Sequence, residues 1–379
     1  MKMQDYVRHS PVQVEKNLIE IKKLIEPVAS KIAKKEYNSI YFVASGSSYN
    51  AALMALPLWQ RNSLKPVYLF TPDNILNDGY NQNTKPIFIV ISQSGSSTNV
   101  TKCLKKLKEQ NASIIVLTGY VNSPARKYTT NIFDYGAGNE YIDFVTQGVQ
   151  TLYEFLLFLG IKLLIPEKFE NENRNANTIY KNQQTTLKTT QKFINDNKIA
   201  LSTDTPVIFV GNNYNFGVAK EFALKVAETL KRPGIYYESE EFLHGPDMQV
   251  TPGYTIYLLD DFPSNPRILN IYKGLRKITN YVYLVTTNTQ IKSDKNCILL
   301  AKPTSAKYYV FETLLVFQLI CSELSDELKT WPTHPFFNYL ETHLQIKSSS
   351  YEEELKQLKK EWEVNNNDSS SDSNSRITS

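Results

Sequence analysis

The chain has 379 residues, about the size of two α/β domains, and its 41% hydrophobic and 12% aromatic content is ample for two cores. Its 42 basic and 38 acidic residues are interspersed and balance to +4, which excludes the one-sided basic footprint of a nucleic-acid-binding domain. Cys103, Cys297 and Cys321 are odd in number, far apart and set in apolar patterns, so they read as reduced core residues of a cytoplasmic protein, not as a disulfide framework or a zinc site. Met1 to Ser10 is polar and no run approaches the roughly 18 apolar residues of a membrane span, so neither a signal peptide nor a membrane segment is expected.

Taken in order, Val14, Leu18, Ile21, Leu24, Ile25 and Ile32 form a helical stripe that predicts one long amphipathic helix over Pro11 to Lys35. Ser39 to Ala44 is the first strand; it runs into Ser45-Gly46-Ser47-Ser48 and then a helix from Tyr49 to about Arg61. Val67 to Phe70 is a short strand, and Asp73 to Leu76 opens a helical turn. Pro86 to Ile91 is a buried strand that ends abruptly at Ser92, after which Val100, Cys103, Leu104 and Leu107 mark a helix beginning near Thr98. Ser113 to Gly119 and Asn131 to Tyr135 complete a strand–helix alternation that argues for a doubly wound, mostly parallel, five-stranded sheet flanked by helices.

A strand that passes through a hydroxyl-rich turn into a helix aims backbone N–H groups and the positive end of the helix dipole at one point, which suits a phosphate. One such turn is also what an ordinary capped helix start looks like. Two of them, SGSS at 45–48 and SQSGSS at 92–97, both fall at the carboxyl ends of strands of one sheet, where ligands of such folds bind. Together they predict a phosphate cradle built without lysine.

Gly148 to Leu164 is a strongly apolar helix, PEKFENENRNANT a polar connector, and Ile179 to Lys198 a long helix with a polar face. At Pro206 the pattern restarts with a strand, Gly211-Asn212-Asn213, and a helix from Phe216 to Lys231; Gly211 follows Gly46 at an offset of 165 residues. Tyr254 to Asp260 then takes the place of the strand before Ser92, with Tyr281 to Thr286 and Cys297 to Leu300 after it. The chain therefore reads as a tandem duplication. The second copy has LLDDFPSNP where the first has SQSGSS, and Asp260 and Asp261 would repel a phosphate, so the phosphate site belongs to the first copy. Tyr308 to Leu324 is an apolar helix, followed by an aromatic, Pro-interrupted tail to Lys347, a charged helix over Tyr351 to Trp362, and a polar end rich in Asn, Ser and Asp that is expected to be disordered.

Glu221, Lys225 and Glu228 share one helix face; alone, Glu221 and Lys225 would pass for a surface ion pair of small worth. His244 lies in the following segment, held before Gly245-Pro246. A carboxylate and an imidazole near a sugar phosphate are the pair needed to open a ring and move a proton beside a carbonyl.

Three motifs, VASGSSYNAALM, VISQSGSSTNV and EFALKVAETLKRPGIYYESEEFLHGPDM, together resemble the tandem sugar isomerase (SIS) domain family over residues 38–347. The nearest likeness is to the isomerase half of glucosamine-6-phosphate synthase and to the 6-phosphofructosamine deglycases. The resemblance implies that Ser47, Ser48, Ser92, Gln93, Ser94 and Ser97 hold the sugar phosphate and that Glu228 is the general base. It implies that His244 assists ring opening, acting near the neighbouring subunit's site in a homodimer or larger homo-oligomer. The tail WPTHPFFNYLETHLQIK resembles the deglycase ending, which would make Lys347 a catalytic lysine facing the substrate amine or carbonyl. No metal and no cofactor are expected. Two departures stand out: Gln147, after Glu140, takes a place where relatives commonly carry lysine, and no cysteine stands at position 2, so glutamine-dependent synthesis is not expected.

The expected organisation is an N-terminal helical segment (1–37), a phosphate-binding SIS domain (38–165), a linker helix (166–200), a second SIS domain (201–329), an active-site tail (330–347) and a polar end (348–379). The expected function is a cytoplasmic deglycase cleaving a 6-phosphorylated fructosamine into sugar 6-phosphate and amine by Glu-mediated proton transfer. The alternatives are aldose–ketose isomerisation or deamination of an amino-sugar 6-phosphate, and, further off, a non-catalytic sugar-phosphate sensor.

Overall fold

The computed structural model describes residues 2–138, 140, 144–291, 294–330, 336–345 and 347. The first half contains α1 (Met3–Ile19), α2 (Ile21–Ala33), β1 (Ser39–Val43), α3 (Gly46–Asn62), β2 (Val67–Phe70), α4 (Pro72–Asn77), β3 (Pro86–Ile91), α5 (Thr98–Glu109), β4 (Ser113–Thr118), β5 (Ile132–Asp134) and α6 (Gln147–Leu164). The second contains α7 (Phe169–Ala176), α8 (Ile179–Leu201), β6 (Val207–Gly211), α9 (Tyr214–Lys225), β7 (Gly234–Tyr237), α10 (Ser239–Leu243), β8 (Thr255–Leu259), α11 (Pro266–Leu275), β9 (Val282–Thr286), β10 (Cys297–Leu299) and α12 (Ala306–Glu327). α13 (Phe337–Leu344) closes the described chain.

Both sheets are parallel throughout and share one strand order, β2-β1-β3-β4-β5 and β7-β6-β8-β9-β10, so the fold is α/β with two five-stranded sheets in tandem. Strand period decides which side chain goes where. Ile40 and Phe42 of β1, with Ile87, Ile89 and Ile91 of β3, face a large core shared with β6, β8 and the helices of both halves. Tyr41, Val43, Phe88 and Val90 point the other way, onto α4 and α5, and Ile208 and Val210 of β6 do the same toward α11. The shared layer is made of α1, α3, α6, α8, α9 and α12, and α3 packs directly on α9. There Gly217 lies against Met54 and the Asn50 carbonyl, so close that a Cβ would collide with the α3 backbone. That contact lets two helices from different halves meet, and it positions the site. No single helix among the described residues is long and apolar enough to cross a membrane.

Several elements differ from expectation. The opening helix is two helices: the Glu20 amide turns back to the Asn17 carbonyl at 3.1 Å, a tightened turn that the continuous apolar stripe conceals. The polar connector holds the helix α7, which buries Phe169 and Ala176. β7, α10 and α11 were not expected. β7 is an edge strand that is half-buried along its whole length, and α11 starts with Pro266 behind the cap Asn265, so its first residues look like a loop. The expected charged helix and polar end (348–379), and His334 with the residues around it, lie outside the described residues.

Candidate active site

The site begins at the carboxyl edge of the first sheet. Gly46, at φ +57°, opens α3, and Ser45 before it makes no side-chain cap. Ser97 likewise leaves the first turn of α5 without a side-chain cap. Two helix starts thus direct N–H groups toward the same edge, the arrangement that attracts an anion, with the Val100 amide of α5 already taken by Asn99 Oδ1 at 2.8 Å. Asn99 ties the two turns together, its amide donating to Ser45 Oγ at 3.0 Å. Within the second turn the Gly95 amide donates to Ser92 Oγ at 3.2 Å, and Ser96 binds back to Ser94. Gly95 has φ +61°, and a Cβ there would overlap the Ser123 side chain, so the turn needs glycine on both counts.

Behind the turn stands a buried relay. Gln93 donates to Glu140 Oε2 at 2.8 Å and accepts from the Tyr135 hydroxyl at 2.9 Å. Glu140 also accepts the amides of Thr146, Gln147 and Gly148 at 2.6–3.0 Å, so one carboxylate caps α6 and holds the turn. Burial pushes the Glu140 carboxyl up, and the Gln93 amide and these backbone donors pull it back. The Gln93 side chain is thereby committed to the protein, and its carbonyl accepts from the Gly119 amide at 2.9 Å and the Thr118 hydroxyl at 3.1 Å. Gln147 is fully buried, donating to the Ala137 carbonyl and accepting from His9 Nδ1, both at 2.8 Å.

The second half supplies the charges. α9 runs antiparallel to α3, so its C-terminal end arrives beside Ser47. Glu221 and Lys225, whose side chains are fully buried, grip that end: Glu221 accepts from Ser47 Oγ (2.9 Å) and Asn50 Nδ2 (2.8 Å), and Lys225 Nζ donates to Ser47 Oγ (3.0 Å). The pair that alone would pass for a surface ion pair is therefore an interior one. Burial pulls the Lys225 ammonium down, but Glu221 and Glu228 outweigh it and the net shift is upward, so Lys225 stays charged. After Lys225 the helix widens into a π-turn over Val226–Leu230. Glu228 lies in it, 22% exposed, with Oε2 at 2.6 Å from Lys225 Nζ. π-turns of this kind re-aim side chains and recur at functional sites.

Of the residues anticipated for the site, Ser47, Ser48 and Ser92 are buried at the two turns, while Ser94 and Ser97 are half-exposed. Lys347 joins them from the far end of the chain: its backbone pairs with Ser97 and its Nζ lies 3.3 Å from Ser94 Oγ. His244 is placed elsewhere. It is exposed at the end of α10, where its Nδ1 donates to the Glu240 carbonyl at 2.7 Å and its amide to that of Glu241. Asn50, Asn99 and the grip of Glu140 on Gln93 were missed. Asn50 did carry a signal, a polar residue beside Ala51, Ala52, Met54 and Ala55 on a buried helix. No group of three or more His, Cys, Asp or Glu residues that could hold a metal ion occurs among the described residues.

Comparison with known proteins shows what the chain is similar to. Residues 31–159 match the SIS domain family, a segment that spans β1 to β5 and both serine turns. The chain contains a SIS domain. Its sequence is 25% identical over 78% of its length to the glutamine–fructose-6-phosphate aminotransferase (isomerizing) of Sulfolobus acidocaldarius, and covers 48% of that protein. The Listeria monocytogenes protein of the same name is 27% identical over 59% of the chain, with 36% of that protein covered. The chain thus spans at most about half the length of these curated relatives. Among solved structures, a candidate phosphosugar isomerase of Clostridium difficile 630 superimposes with a TM-score of 0.81 at 22% identity, over 92% of this chain and 99% of that one. The C-terminal domain of glucosamine-fructose-6-phosphate aminotransferase from Francisella tularensis gives 0.70 at 19% identity, over 86% and 96%. Both superpositions extend far beyond the SIS domain of residues 31–159, and two sheets of one topology fit a tandem SIS arrangement.

Proposed function

We propose that the chain is an enzyme acting on a sugar 6-phosphate, in which the serine turns hold the phosphate and Glu228 moves a proton between C1 and C2. One observation carries this reading. The partly exposed Glu228 carboxylate comes from the second half, yet Lys225, which donates to Ser47, holds it beside the first serine turn of the first half. A base separated from the anchor that positions its substrate is what proton transfer on a tethered sugar requires.

The substrate we infer is a 6-phosphorylated fructosamine, a reading supported by the sequence likeness of the tail to the deglycases. Glu228 takes a proton from C1, the electron pair shifts to form an enaminol, and a proton returned to C2 leaves a C1 imine. Water adds to that imine and the amine departs, so adduct plus water gives aldose 6-phosphate plus amine. Plain aldose–ketose isomerisation uses the same proton transfer without the imine hydrolysis. His244 is exposed and anchored through Nδ1, which supports a role in ring opening across a contact with a second subunit.

The test is Glu228→Gln. Binding should stay within a few-fold while kcat falls by roughly 10²–10⁴, the usual worth of a general base. Solvent deuterium should cease to enter C1 or C2. Wild-type exchange in this variant would remove Glu228 as the base. Phosphorylated fructosamines, glucosamine 6-phosphate and fructose 6-phosphate, offered in parallel, decide the reaction.

A further inference from the structure

We propose that Lys347 is the cation that recognises the substrate's phosphate, and not a lysine reaching for its carbonyl; the assignment rests on the sugar-phosphate reading above. The two turns that face the anion, Ser45–Ser48 and Ser92–Ser97, contain no lysine or arginine. Lys225, the cation supplied by α9, is already engaged by two carboxylates, Glu221 at 3.4 Å and Glu228 at 2.6 Å. That trio carries a formal charge of −1 before a phosphate of about −1.5 to −2 arrives. Hydroxyls and helix dipoles alone would have to offset both.

The far end of the chain brings the missing charge. α13 is followed by Gln345, whose φ of 49° turns the chain back toward α5. The Thr98 hydroxyl donates to the Gln345 carbonyl at 2.6 Å, and Ser97 and Lys347 pair through an antiparallel bridge. These contacts pin the Lys347 backbone at the start of α5, and the side chain extends to Ser94 Oγ at 3.3 Å. An ammonium held on the phosphate turn is at the C6 end of a sugar 6-phosphate. C1 and C2 lie at the opposite end of the sugar. The same contacts make the closing segment part of the anion site, so phosphate and segment stabilise each other.

The experiment measures inorganic phosphate binding to the full chain by calorimetry, for wild type, Lys347→Met and Lys347→Arg. Lys347→Met should raise Kd about tenfold or more, the worth of one charge-assisted hydrogen bond, and flatten its salt dependence. Lys347→Arg should restore Kd to within about threefold, with an unchanged Tm showing that both variants fold. With a sugar phosphate that is turned over, Lys347→Met should raise KM and leave kcat within about threefold, and borohydride should trap no adduct on Lys347. Unchanged phosphate affinity in Lys347→Met, or a trapped adduct, overturns the assignment. Phosphate binding needs no turnover, so an inactive protein would sink the proposed function while the calorimetry still decides Lys347.

Discussion

Ser92 and Asp260 hold the same place in the two halves. Each follows the third strand of its sheet, and each donates its amide to the neighbouring strand, to Leu117 at 3.0 Å and to Val285 at 2.9 Å. From there the chemistry diverges. In the second half the Asp260 carboxylate accepts from the amides of Asp261 (2.9 Å) and Asn265 (2.8 Å) and from the hydroxyls of Ser264 and Thr286 (both 2.6 Å). Asn265 then caps α11 through the Arg267 amide at 2.9 Å. The turn is filled by its own anion. In the first half Thr118, the counterpart of Thr286, donates to the Gln93 carbonyl instead, and α5 has no side-chain cap. The helix ends diverge too: α9 brings Lys225 and Glu228 to the first turn, whereas α3 brings Arg61 to Asn213 at 3.1 Å, with no carboxylate. The two halves thus share one turn with two chemistries: where the first carries Ser92, in the second an aspartate stands in its place and takes up the turn's donors.

The largest effect is expected from copying that aspartate into the first half. Ser92→Asp should place a carboxylate among the donors of the turn and raise Kd for inorganic phosphate by about 10³-fold or more, since like charges now meet in a desolvated site. The Ser92 side chain is buried and the Asp260 turn shows that this backbone accommodates an aspartate, so circular dichroism should show a folded protein. Phosphate binding within tenfold of wild type would mean that the Ser92 turn is not the anion site.

The converse change comes next. Asp260→Ala removes the acceptor of four donors in a wholly buried setting, which should cost about 3–4 kcal/mol in chemical denaturation. Sulfate should recover part of that loss where chloride does not, because the vacated turn has the shape of an anion site. A loss below about 1 kcal/mol, or equal response to both salts, would break the equivalence of the turns.

Much of this was legible in the sequence. The serine runs at strand ends and the 165-residue offset pointed to two α/β units of one topology, which the two sheets bear out. The burial of Glu221 and Lys225 was not legible, because it depends on α3 packing against α9, a contact between residues some 170 positions apart in sequence. A charge pair at helical spacing has the same pattern on a surface as in an interface. β7 and α10 escaped for a different reason: they are a short edge strand and a single turn of helix, too brief for periodicity to register.

The smallest effect concerns a feature the halves share. Glu154 of α6 accepts from Asn17 of α1 at 3.1 Å, and Glu312 of α12 accepts from Asn182 of α8 at 2.9 Å; Asn17 and Asn182 are again 165 apart. Both carboxyls are buried, and each leaves its second oxygen without a partner among the described residues. Burial pushes Glu154 well above its usual range, and pushes Glu312 from 4.5 up to about 8, with the asparagine pulling each back. An unfolded chain releases such a proton near 4.5, whereas the folded chain keeps it to about 8, so stability falls as pH rises through that window and levels off above it. For Glu312 the loss between pH 6 and pH 8 should be on the order of 2 kcal/mol. Glu312→Gln keeps an acceptor for Asn182 and a donor in place of the acid proton, and should flatten the pH dependence of Tm over that interval. Glu154→Gln should likewise weaken the loss of stability on raising pH, since burial pushes its carboxyl up as well. If Glu312→Gln keeps the wild-type slope, its carboxyl is not the titrating group and the kinship between the two pairs ends at their shape.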